Sequence, residues 1–97
     1  MIKIKAKIKL YRRNLYRQLP ISNGYKPLFN FIPGMKTFGQ ILLTNCENLF
    51  PGMETTAEII FAFREFLGNN FKVGTKFTFG EGVNDVGEGI VLEILQE

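Results

Sequence analysis

The chain has 97 residues, 45% hydrophobic and 22% charged, with a formal net charge of +3, one cysteine and no histidine. That length suits a single domain, residues 1–97, with a core of its own. The lone Cys46 excludes an intramolecular disulfide, and the missing histidines exclude imidazole-based triads and most zinc sites.

The first element is the most regular. In IKIKAKIKL, Ile2, Ile4, Ala6, Ile8 and Leu10 alternate with Lys3, Lys5, Lys7 and Lys9, the period of a strand with one face in water. A slip of one residue would bury all these lysines, so the register is firmly set. The lysines also interrupt the apolar run a signal peptide needs, and no stretch reaches membrane-spanning length. With the unpaired cysteine, this leads to the expectation of a soluble, cytoplasmic protein with no membrane partner. Beyond this strand, Arg12, Arg13 and Arg17 interleave with Tyr11 and Tyr16, and the pattern continues to Tyr25 and Lys26.

From Pro20 onward, proline and glycine punctuate the chain at short intervals. Between them lie expected strands at Leu28 to Ile32, Thr37 to Leu43, Thr55 to Phe63, Thr75 to Phe79 and Gly89 to Leu95. TTAEIIFAFREFL also reads as a helix, because Ile59, Phe63 and Phe66 lie near helical spacing, but its IIFAF run favours a strand. GEGVNDVGEG, residues 80–89, reads as a hairpin loop turning at Asn84 and Asp85. It lacks the Lys-Ser or Lys-Thr of a phosphate-binding loop and does not precede a helix. Short strands joined by turn signals imply an all-β barrel or sandwich. With ten Phe and no Trp, most of the aromatic rings are expected inside it.

Charge is divided along the chain. Residues 1–46 carry Lys and Arg with no Asp or Glu, whereas from Glu47 onward the carboxylates outnumber Arg64, Lys72 and Lys76. Strand pairing can neutralise the two halves against one another. Alternatively, a basic face meets an anionic partner such as RNA. Catalytic chemistry is poorly supplied. Cys46 has no partner base, and Glu81 and Glu88 sit in a glycine-rich stretch without an apolar run between them to raise a pKa. No enzyme activity and no cofactor are expected. Arg12, Arg13, Arg17, Tyr25 and Lys26 form the candidate binding surface, since Arg forks hold phosphate and Tyr rings stack on bases.

GYKPLFNF, residues 24–31, resembles the Gly-Tyr-Arg-Pro-x-Phe-x-Phe element in the C-terminal barrel, domain three, of elongation factor Tu. Arg17, Pro20, Gly24, Tyr25, Pro27, Phe29 and Phe31 fall at that family's spacing, with Lys26 in place of its Arg. Gly39 and Ile41 match its Thr-Gly-x-Ile strand, and Pro51 and Gly52 its Met-Pro-Gly-Asp turn. Phe77, Glu81, Gly82, Val86, Gly87, Gly89 and Val91 match its closing segment, after a short insertion near FREFLGNN. The resemblance extends over nearly the whole chain, more loosely at the first strand. It implies an all-β fold, a closed antiparallel β-barrel of about six strands.

In function, the resemblance implies a non-catalytic, translation-linked binding module whose partner is tRNA or a translation-related protein. In the full factor this domain helps grip the T-stem of aminoacyl-tRNA, packs on the GTPase domain and meets the exchange factor. The chain has neither a Gly-Lys-Thr phosphate loop nor an Asn-Lys-x-Asp guanine-reading motif, so GTP hydrolysis is not expected. It also departs from the family at the closing hairpin, where Gly80 and Asn84 stand for arginines and Asp85 for threonine. Loss of cations there weakens an RNA-facing surface. Two other outcomes follow from a retained fold with altered charge: a domain that mimics the factor's surface toward a toxin or regulator, and a self-associating accessory domain.

Overall fold

The computed structural model describes residues 1–12 and 19–97. The alternating segment forms β1 (Ile2–Leu10), and β3 (Leu28–Ile32), β4 (Met35–Leu43), β6 (Glu54–Phe61), β7 (Lys76–Glu81) and β8 (Asn84–Gln96) complete a closed antiparallel barrel. Its strand order is β1-β6-β4-β3-β7-β8, and β1 closes it by pairing with both β6 and β8. Closure leaves no unpaired edge among the six strands. Two short strands not foreseen in the sequence, β2 (Ile21–Ser22) and β5 (Asn48–Leu49), pair with each other.

Local chemistry accounts for the corners. Pro33-Gly34 and Pro51-Gly52 set proline before a glycine of positive φ (77° and 88°), the requirement of a type II turn. Pro27 accepts from the Gly39 amide through its carbonyl but has no N–H to return, so the regular ladder of β3 begins only at Leu28. Register shifts between β1 and β8, β3 and β4, and β7 and β8 supply the bends that closure needs.

The segment read as either strand or helix divides. Its first part is β6, and a 3₁₀ turn at Arg64–Leu67 follows. Arg64 ties that turn down, donating to the Gly68 carbonyl at 2.8 Å and lying 5.0 Å over the Phe71 ring.

The closing hairpin differs most from expectation. Its turn is Gly82-Val83, with positive φ (69°) at Gly82, and Asn84 and Asp85 are already strand residues. A glycine at the first central position of a two-residue hairpin turn carries the bend, leaving no left-handed role for Asn84 or Asp85. The glycines that follow serve the core instead. Gly87 lies directly across from Phe79, Gly89 from Phe77, and on the opposite wall Gly39 from Phe61. In each pair the ring occupies the space that a glycine Cβ would take.

Those rings are the centre of the molecule. Phe29, Phe61, Phe77 and Phe79 are buried, and Phe29 lies 5.0–5.7 Å from the other three. Half-buried Phe31 extends the stack to Phe71. Isoleucines of β1 and β6 fill the other side. The expected aromatic core is present, but Phe38, Phe50, Phe63 and Phe66 lie on the surface.

Candidate binding surface

The structure describes three of the five residues singled out as a candidate surface, Arg12, Tyr25 and Lys26. Tyr25 bridges Ile41 of β4 and packs partly against the core, and its hydroxyl donates to Glu81 on β7 at 2.5 Å. Lys26, the next residue along an extended chain, is exposed on the outer wall beside Phe38 and Gln40. Arg12 is exposed beyond the end of β1 and lies over the Pro51-Gly52 turn. That turn is itself tied to β1, with the Gly52 amide donating to the Leu10 carbonyl at 2.8 Å. Arg13, Tyr16 and Arg17 lie outside the described residues. Among the described ones, Tyr25 reaches the closing hairpin through Glu81, and Lys26 lies on the barrel wall.

The lysines of β1 are interleaved with carboxylates. Lys3 pairs with Glu58 at 2.9 Å and Lys7 with Glu54 at 3.1 Å. By register, Lys5 lies between Glu58 and Glu93, and Lys9 between Glu54 and Glu88. Neutralisation across neighbouring strands, one of the two readings of the divided charge, is therefore what the fold produces on this face. A polar row runs through all six barrel strands as Lys36, Asn30, Thr78, Glu88, Lys9 and Glu54, each residue opposite the next. The part of the wall holding Asn30, Thr78, Glu88, Lys7 and Lys9 forms an open groove of about 530 Å³, whose lining also takes in Ile8, Phe77 and Ile90.

The hairpin tip is bound into this network. Asn30 donates to Asp85 at 2.8 Å and to Thr78 at 2.9 Å, and Lys36 donates to the Gly82 carbonyl at 2.7 Å. With Tyr25 on Glu81, the tip receives bonds from three described residues of other segments, and its acids are engaged within the chain.

Tyr11 adds a pH-dependent contact beside β8. Partial burial raises its phenol pKa above the usual 10.0, and the negative charge and hydrogen bond of Glu88, with the charge of Asp85, push the same way. A folded-state pKa above the unfolded one means that the folded chain holds the proton longer. This contribution is intact below pH 10.0 and is lost as pH rises through the raised value. Chemical denaturation from pH 8 to 11 is expected to show stability falling above about pH 10, with a shallower fall in Tyr11→Phe.

One surface was not anticipated from the sequence. Met1, Lys26, Phe38, Gln40, Ile60 and Ala62 line an apolar groove of about 430 Å³ on the outer wall of β4 and β6. Phe38 is 69% exposed and Met1 71%. On β4, Thr37, Gly39, Ile41 and Leu43 point inward, which turns Lys36, Phe38, Gln40 and Leu42 outward. Both alternating sets hold apolar residues, so the pattern of this segment alone did not show which one faces water.

Among the described residues, no group of His, Cys, Asp and Glu is arranged to hold a metal ion, and no helix is long and apolar enough to cross a membrane. Cys46 is half-buried against the core. Fold and surface together define a closed six-strand antiparallel β-barrel whose outer wall carries a groove of mixed charged and apolar lining and an apolar groove. No protein-family model matches the chain, and a search of curated proteins finds no match.

Proposed function

We propose that the chain is a non-catalytic binding module of the elongation factor Tu domain-three type, acting in the cytoplasm in connection with translation, with a protein as its partner. The family part of this reading is supported by the motifs shared along the chain, and by GYKPLFNF supplying a turn and then a barrel strand. The unpaired Cys46 suits a reducing compartment.

The observation that carries the choice of a protein over tRNA is the interleaving of the β1 lysines with Glu54, Glu58, Glu88 and Glu93. Alternating charges present little net positive potential to a phosphate backbone. The apolar groove beside Phe38 is a surface of the kind that protein partners cover.

A tRNA-gripping surface remains the second reading, favoured by the exposed cations Arg12 and Lys26. Affinity capture of the tagged chain from its own cell lysate, split into nuclease-treated and untreated halves, separates the two. The protein reading expects a translation protein retained in both halves. Captured tRNA that disappears with nuclease, with no protein retained, would overturn it.

A further inference from the structure

We infer that the apolar groove on the outer wall of β4 and β6 docks a peptide segment of a partner protein that combines apolar side chains with acidic ones. This rests on the reading that the partner is a protein, and it assigns that partner a site and a chemistry. The groove contrasts with the rest of the barrel wall. Lys36, Asn30 and Thr78 of the polar row make hydrogen bonds to other strands or to the hairpin tip, whereas Phe38 and Met1 project into solvent. Ile60 and Ala62 of the neighbouring chain segment complete an apolar lining.

Charge complementarity selects the occupant. None of the groove's lining residues is a carboxylate, and Lys26 lies within it. Lys36 lies two residues before Phe38 on the same outward face of β4. The carboxylate nearby in register, Glu58, is held by Lys3 at 2.9 Å. An apolar strip with Lys26 in its lining and Lys36 beside it favours a segment whose aromatic or aliphatic side chains enter the groove while its own carboxylates meet these two ammonium groups. A basic segment would be repelled, and a nucleic acid would find no run of unpaired cations along the strip.

The test uses two capped peptides, one alternating glutamate with phenylalanine and leucine, the other with lysine replacing each glutamate. They are titrated into the isotope-labelled chain and followed by amide chemical shifts. The acidic peptide is expected to shift Phe38, Gln40, Ile60 and Ala62 and to bind about ten-fold more tightly than the basic one. Phe38→Ser, at an exposed position that the barrel does not need, is expected to abolish the shifts, and Lys26→Glu to remove the acidic preference. Equal affinity for both peptides, no binding of either, or shifts confined to other faces would overturn the proposal. So would a groove already covered by a second copy, seen as self-association that Phe38→Ser abolishes. Lysate capture with the Phe38→Ser chain keeps the two levels apart. A nuclease-resistant partner that survives the substitution sinks the groove and spares the protein reading, whereas capture of tRNA alone sinks that reading.

Discussion

Phe29→Ala is expected to destabilise the barrel by about 3–5 kcal/mol, the cost of emptying a fully buried aromatic site. Phe29 is completely buried and lies between Phe61 on one side and Phe77 and Phe79 on the other, so deletion removes the ring that joins the walls. The neighbouring rings come from β6 and β7, each hydrogen-bonded to two other strands, and a closed barrel has little freedom to collapse around a hole. A domain of this size typically holds about 5–15 kcal/mol in total, so the variant would lose a large fraction of its stability. Urea denaturation followed by circular dichroism measures this directly. A midpoint within experimental error of the parent would mean that the cluster is not the core. Phe38→Ala, on the outer wall, provides the contrast and is expected to change stability by less than about 0.5 kcal/mol.

Gly87→Ala is the second large effect, and it adds atoms rather than removing them. A Cβ at this position would stand 2.4 Å from Phe79 Cζ and 2.5 Å from the Lys9 carbonyl oxygen. The ring could move only into a core occupied by Phe29, and the carbonyl belongs to the β1–β8 ladder that closes the barrel. Overpacking of this kind costs about 1–3 kcal/mol, and two constrained neighbours put Gly87→Ala at the upper end. The expected result is a lower urea midpoint with an unchanged slope. If Phe79→Leu restored much of the loss in the double variant, the ring would be identified as the obstacle, and non-additivity between these two facing residues would measure their coupling. Gly74→Ala would be an unsuitable control, because its positive φ strains any side chain even with open space around it.

The two effects describe one device. Large rings from β3, β6 and β7 fill a narrow barrel because glycines stand opposite Phe61, Phe77 and Phe79. The glycine-rich stretch after β7 therefore has two uses. Gly82 turns the hairpin, whereas Gly87 and Gly89 leave volume for a facing ring. Function attaches to the outside of the same wall. The inward turn of Thr37, Gly39 and Ile41 leaves Phe38 pointing out beside Lys26.

What the sequence determined by itself was the strand character of the chain and the positions of most of its turns. In β1 the isoleucines and lysines permit only one orientation, since the alternative register buries four charges, and the Pro-Gly pairs restrict the backbone at their own positions. Local signals of this kind need no partner to be read. Tertiary structure alone decided which strand lies beside which, and with it the fate of every charge. Lys7 meets Glu54 and Asp85 meets Asn30 across separations of 47 and 55 residues, a pairing set by barrel closure. The same closure chose the inward set on β4, where both sets were apolar enough to serve, and so placed Phe38 on the surface. Cross-strand distance, rather than sequence distance, determines whether a cation is neutralised and whether a phenyl ring is core or interface.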